Sequence, residues 1–176
     1  MTQKEEIALH NDLDDLKNYF NPRIVSIYRR PDAMNMLYRL KFGVNAPSFV
    51  ARKNEAGPIP TDRVTFFMDI LPGYPKTKPL VYYGDEEWLF HINTYETEGH
   101  NQCTGNHDSD GGDDIIQLAE KTIRAIIFDP AVRRFDSMAS SVPCDWQKRM
   151  EEAHKLPTIN PAFLLRKNSR RTPRAI

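Results

Sequence analysis

Residues 74–103 read YPKTKPLVYYGDEEWLFHINTYETEGHNQC, and this stretch decides how the rest of the chain is read. Tyr74-Pro75 and Pro79 set corners, Leu80–Tyr83 is a short apolar run, His91-Ile92-Asn93 forms a polar turn, and Cys103 follows ten residues after Asn93. From Gly84 to Gly112 no hydrophobic period is sustained, and this span holds His91, His100, Cys103 and His107. A long irregular span inside a compact domain is usually functional or disordered. Cys103 lies between Asn101-Gln102 and Thr104-Gly105, small polar neighbours that leave room for a peptide C-terminus. The glycine adds backbone conformations closed to other residues.

Outward from this stretch the chain divides into regular elements. Ile7, Leu13, Leu16 and Tyr19 recur near helical spacing, which predicts a helix from about Lys4 to Phe20, stopped at Asn21-Pro22. Strands are predicted at Pro22–Arg30, Met34–Phe42, Val64–Ile70 and Leu80–Tyr83, from β-favouring composition and period-two alternation. Asn45–Asp62 reads as a loop or an irregular strand. Ile115, Ala119, Ile123, Ile126 and Ile127 mark the buried face of a helix over Ile115–Phe128, with Asp113 and Asp114 at its positive end. Trp146, Met150 and Ala153 predict a last helix over Cys144–Lys155. One helix, a run of short strands and then helices point to an α+β domain, a four-stranded antiparallel meander with helices packed on it. The domain is expected to span residues 1–156, with a tail over 157–176.

The 176 residues suit one domain with a substantial core. Equal numbers of acids and Lys plus Arg give no net charge, so bulk charge points neither to nucleic acid nor to a membrane surface. The N-terminus lacks a signal-peptide pattern and no apolar run reaches membrane-spanning length, so a cytoplasmic protein without a membrane partner is expected. Two cysteines, Cys103 and Cys144, are no disulfide framework and fit a reducing compartment. The end of the chain carries Arg166, Lys167, Arg170, Arg171 and Arg174 without an acid. It reads as a mobile solubilising end, or as a contact for nucleic acid or an acidic partner.

The order of these motifs resembles the ubiquitin-conjugating enzyme fold over roughly Lys4–Lys155. That family places an aromatic-proline pair and a second proline after its third strand, as at Tyr74-Pro75 and Pro79. A His-Pro-Asn turn follows, matched by His91-Ile92-Asn93, then the active cysteine, matched by Cys103, then a helix closed by Asp-Pro, matched by Asp129-Pro130. Ile92 stands where the family has proline, Thr104-Gly105 where it usually has leucine, and no tryptophan follows soon after Cys103. These departures resemble divergent bacterial relatives, encoded beside activating enzymes, ubiquitin-like proteins or antiphage nucleotide cyclases.

The resemblance implies an acyl transferase. The C-terminus of a ubiquitin-like or other protein, activated by a separate adenylating enzyme, would be held as a Cys103 thioester and passed to an amine of a target protein such as a nucleotide cyclase. No bound cofactor is implied, because ATP is used by the activating partner. The N-terminal helix and the Pro72–Pro79 loop would meet that partner. A thiolate is both a nucleophile and a good leaving group, as such exchange requires. Asn93 would donate to the oxyanion of the tetrahedral intermediate, or cap the loop backbone. His91 takes the turn-packing role of its family counterpart. Asp136 lies near where the family often places an acid beside the cysteine, and Asp108, Asp110 and Asp113 are further acids for deprotonating the amine. His100 and His107 flank the thiol and would favour its thiolate. Cys144, opening an amphipathic helix, reads as structural.

Three other readings of these residues stay open. His100, Cys103 and His107, with His91 or an aspartate, have a spacing compatible with zinc. Cys103 with His91 or His107 and an aspartate would suit a cysteine hydrolase. The same fold with an inert cysteine would serve as a binding module.

Overall fold

Leu9, Leu13 and Leu16 are buried along one stripe of α1 (Gln3–Tyr19), the face expected to meet a core. The computed structural model describes residues 3–30, 38–95, 100–103, 114–132, 139–157 and 159–166. The helix ends where Asn21 turns the chain, its backbone carbonyl accepting from Ile24 and Val25 as β1 (Val25–Arg30) begins. β2 (Tyr38–Arg52) and β3 (Ile59–Ile70) form a long antiparallel hairpin, and β4 (Leu80–Tyr82) pairs with the end of β3. The sheet order is β1-β2-β3-β4.

Alternation decides which face is covered. Leu40, Phe42 and Val44 lie opposite Met68, Phe66 and Val64, all buried, and the Phe42 and Phe66 rings stack at 4.4 Å. The intervening Arg39 and Asp69 form a forked ion pair at 2.8 and 2.9 Å on the other face, where Tyr82 also meets Asp69. The apolar face packs against α1 and α2 (Ile115–Ile126), which buries Ile115, Ile116, Leu118, Ala119, Ile123, Ala125 and Ile126. At about 1.5–3 kcal/mol for each large aliphatic side chain removed from water, this helix–sheet layer dominates the favourable side of folding.

Of the two readings of Asn45–Asp62, loop or irregular strand, the hairpin bears out the irregular strand. This span is the far half of β2, a turn, and the start of β3. Pro47 broke the alternating pattern; it sits where the register shifts between Asn45 and Ser48, and a bulge tolerates its missing N–H. Ser48 continues the inward-facing series of Phe42, Val44 and Ala46, and its hydroxyl donates to the Ile126 carbonyl at 2.7 Å and caps the end of α2. A fifth strand enlarges the expected four. β5 (Glu87–Leu89) pairs with β2 through Val50↔Leu89. Val50 also pairs with Ile59 of β3, so β5 must lie on the β1 side of β2.

The helix ends also differ from the sequence reading. α2 begins at Ile115, with Asp114 as N-cap in a reciprocal capping box with Gln117, and stops at Ile126 before a turn in which Phe128 takes φ 55°. Asp113 lies outside the described residues. α3 (Ser141–Glu152) starts three residues before the predicted Cys144. Pro143 made that start look like a break, but it falls in the first turn, where no N–H is needed. Ile159–Arg166, read as the beginning of the tail, packs back on the domain. Leu164 is buried, Asn21 N–H donates to its carbonyl at 2.8 Å, and Arg166 N–H donates to Tyr19 at 3.0 Å. Leu164 and Leu165 supply the apolar surface of this return; residues 167–176 lie outside the described residues. Among the described residues no helix is long and apolar enough to cross a membrane.

Candidate active site

The site is built on backbone pairing beyond β4. Tyr82, already bonded to β3, pairs on its other side with Asn101, and Gln102 N–H donates to the Val81 carbonyl at 2.9 Å. On its far side this short extended piece pairs with the chain after the His91-Ile92-Asn93 turn, through Thr94↔Gln102. Two bonds flank that pair: Tyr95 N–H to Asn101 C=O at 3.0 Å and Cys103 N–H to Asn93 C=O at 2.6 Å. The backbone of Cys103 is therefore fixed by the sheet rather than by loop contacts.

Strand alternation then sorts the side chains. Thr94 and Gln102 turn inward and are buried. Gln102 accepts from the buried Tyr83 hydroxyl at 2.7 Å and donates to the Cys103 carbonyl at 3.3 Å. Burial pushes the Tyr83 phenol far above its ordinary pKa. Asn93, Tyr95, Asn101 and Cys103 share the opposite face by parity. Cys103 is half-buried and Tyr95 is 40% exposed. Tyr95 is the diagonal neighbour of Cys103 across the ladder, within reach for an aromatic side chain. Interaction with the Cys103 side chain, and to a lesser degree burial, raises the Tyr95 pKa.

The turn before the ladder is tied to both helices. His91 is fully buried, its ring against Phe128 at 5.2 Å, and its Nδ1 accepts from Asn93 N–H at 3.1 Å, which leaves the proton of a neutral ring on Nε2. Ile92, where a proline was expected, is fully buried, and its carbonyl accepts from Ala139 at 2.8 Å and Ser140 at 3.3 Å at the approach to α3. Asn93 Nδ2 donates to the Val132 carbonyl at 3.0 Å, in the Pro130–Val132 turn after α2. An amide nitrogen carries two hydrogens, so one remains for another acceptor.

His100 does not face the thiol. Its ring lies flat on Trp88 at 3.7 Å, and Nδ1 is 3.2 Å from the Tyr95 carbonyl. His107, Asp108, Asp110, Asp113 and Asp136 lie outside the described residues, as do Thr104 and Gly105. Of the zinc set, His107 and the aspartates thus lie outside the described residues; among the described residues no three His, Cys, Asp or Glu side chains converge. Cys144 is buried in α3. A cavity of about 190 Å³ lies between Ile127–Pro130 and His154–Ile159, and Cys103 is not in its wall.

No protein-family model and no curated protein matches this chain.

Tyr95 and Gln102 are the site residues that the sequence reading passed over. The signal for Tyr95 was its two-residue offset from Asn93, which is meaningful only once both are known to be extended.

Proposed function

We propose that the chain is an acyl transferase of the ubiquitin-conjugating type, a divergent bacterial relative working in the cytoplasm, plausible in antiphage defence, that carries a protein C-terminus as a thioester on Cys103. The observation that carries this reading is the half-buried Cys103, fixed through its own N–H to the buried Asn93, with the exposed Tyr95 on the same side of the ladder. The α+β order of elements, the Tyr74-Pro75 and His91-Ile92-Asn93 motifs and the Asp129-Pro130 helix end support it further.

In this reading an adenylating partner delivers the activated C-terminus of a ubiquitin-like or similar protein. The Cys103 thiolate attacks the activated carbonyl, the C–S bond forms, and the partner's leaving group departs. An amine of the target, a nucleotide cyclase being the candidate, then replaces sulfur. The free hydrogen of Asn93 Nδ2 is the donor nearest by sequence for the oxyanion of each tetrahedral intermediate. ATP is consumed by the partner, so the chain itself needs no cofactor.

The test is co-expression with an adenylating enzyme and a ubiquitin-like protein, followed by intact mass under non-reducing conditions. An added mass that dithiothreitol removes and Cys103→Ala abolishes is the expected result. A labile adduct mapped to Cys144, or none at all, counts against it.

A further inference from the structure

We propose that the face of the sheet turned away from α1 and α2 binds single-stranded nucleic acid, through the rings of Tyr28, Phe67 and Tyr82 and the cations Lys41 and Arg63. This function is separate from acyl transfer and does not depend on the reading of Cys103.

Register brings these residues together. Leu40, Phe42 and Val44 face the helices with their partners, so the residues between them face the other way. On that far face Tyr28 pairs with Lys41, Lys41 with Phe67, and Phe67 with Tyr82, one unbroken row across four strands. At about 4.8 Å per strand the row is roughly 14 Å long. Tyr28 is 56% exposed. The Phe67 and Tyr82 rings lie nearly parallel, 23° apart in plane with centroids at 5.5 Å, as an offset pair.

The cations lie beside this row. Gly43, between Ser26 and Thr65, has no side chain to fill the space above it. The Arg63 guanidinium takes that space, its Nη2 lying 3.1 Å from where a Cβ on Gly43 would sit. Arg63 is thereby held along the sheet, next to the aromatic row. Neither Arg63 nor Lys41 has a carboxylate partner among the described residues. Asp69 is the only acid among the described residues on these rows, and Arg39 already forks onto it. That same guanidinium lies 5.6 Å from the Tyr82 ring. The face is therefore positive although the chain as a whole is neutral.

Unpaired cations attract an anion, and aromatic rings on a sheet attract flat apolar surface. A duplex supplies phosphates, but its bases are stacked on each other. An acidic peptide answers the cations and leaves the rings without stacking partners. A single strand offers phosphates and unstacked bases together. Antiparallel sheets backed by helices take such strands by stacking bases on rings of neighbouring strands, while cations track the backbone.

The experiment measures fluorescence anisotropy of fluorescein-labelled oligothymidylate, oligouridylate and a DNA duplex of the same length, with the full-length chain. Binding to the single strands, about tenfold tighter than to the duplex, is the expected result, and the tighter of the two names the preferred sugar. With two phosphates neutralised, raising salt from 50 to 200 mM should weaken binding about sevenfold. Tyr28→Ala should weaken it about tenfold, and Tyr28→Phe, which keeps the ring, should stay within about twofold of wild type. Arg63→Ala should roughly halve the salt dependence. Thermal unfolding confirms that each variant is folded. No anisotropy change up to about 100 μM protein overturns the proposal. So does a duplex bound as tightly as the single strands, since charge alone then accounts for binding. Binding unchanged in both Tyr28→Ala and Arg63→Ala also overturns it, because another part of the chain is then responsible. Self-association that Tyr28→Ala abolishes, without oligonucleotide binding, overturns it in favour of a second copy on this face.

Discussion

The Tyr74 hydroxyl donates to the buried carboxylate of Asp12, joining the corner after β3 to the middle of α1. Burial, then the charge of Asp114, raise this phenol's pKa, while the backbone of Ile115 works the other way. Tyr74→Phe keeps the ring and removes the donor, and it should cost about 1.5–3 kcal/mol, the range for a hydrogen bond to a charged group. Urea unfolding measures this, and an unchanged midpoint would show that Asp12 needs no such donor. Asn93 faces a related test with two readouts. Asn93→Ala leaves the Val132 carbonyl without its donor and should cost about 1–3 kcal/mol in stability. If its second hydrogen serves the oxyanion, transfer from Cys103 should also fall about 100-fold at a temperature where the variant stays folded. Stability loss with unchanged transfer would confine Asn93 to its structural bond. Cys103 could be singled out from sequence because the motifs around it are local. Tyr95 could not, because its place on the face of Cys103 depends on pairing between residues 93–95 and 101–103, and no periodic pattern encodes that offset.

Among the elements, α2 was the easiest to read, since its apolar residues keep a 3.6-residue period and Asp114 announces its start. Asp114→Ala should remove the bond from Gln117 N–H to the Asp114 carboxylate, keep the backbone bond from Asp114 N–H to Gln117, and cost about 0.5–2 kcal/mol, seen as a lower thermal midpoint. An unshifted midpoint would mean the start of α2 is held by packing alone. α3 was legible only in part. Its Trp146 packs edge-on against Phe49 at 4.9 Å and Phe90 at 5.2 Å, which fastens the helix behind the His91 turn. Phe49 belongs to the span read as a loop or an irregular strand, so half of that cluster carried no clear core signal. β5 was illegible for another reason: three residues carry too little alternation, and their strand identity comes from Val50–Arg52, far away in sequence.

For the molecule as a whole, two phenols tie stability to pH. Tyr74 and Tyr83 are buried, and their pKa values are raised above the ordinary tyrosine value of about 10. The folded state therefore holds these protons more tightly than the unfolded chain. Their contribution is complete below about pH 10 and is lost as pH rises above it, when only the unfolded chain ionises. Phenolate absorbance at 295 nm should report the exposed tyrosines first and these two only together with the loss of far-UV dichroism. Full titration of all seven tyrosines in a protein that remains folded would contradict this placement. The α+β layering was legible at this scale because α1, the strands and α2 each carry their own period. The return of Ile159–Arg166 to α1 was not, because a short apolar pair beside a basic run resembles a tail.

The central claim is that Cys103 carries an acyl group, and replacing it with a nucleophile that forms a permanent bond tests this most directly. Cys103→Lys, co-expressed with an adenylating enzyme and a ubiquitin-like protein, should yield an amide-linked adduct that survives thiol and hydroxylamine, visible by intact mass and mapped to position 103. Absence of that adduct, or the same adduct formed only by Cys144→Lys, would contradict the account.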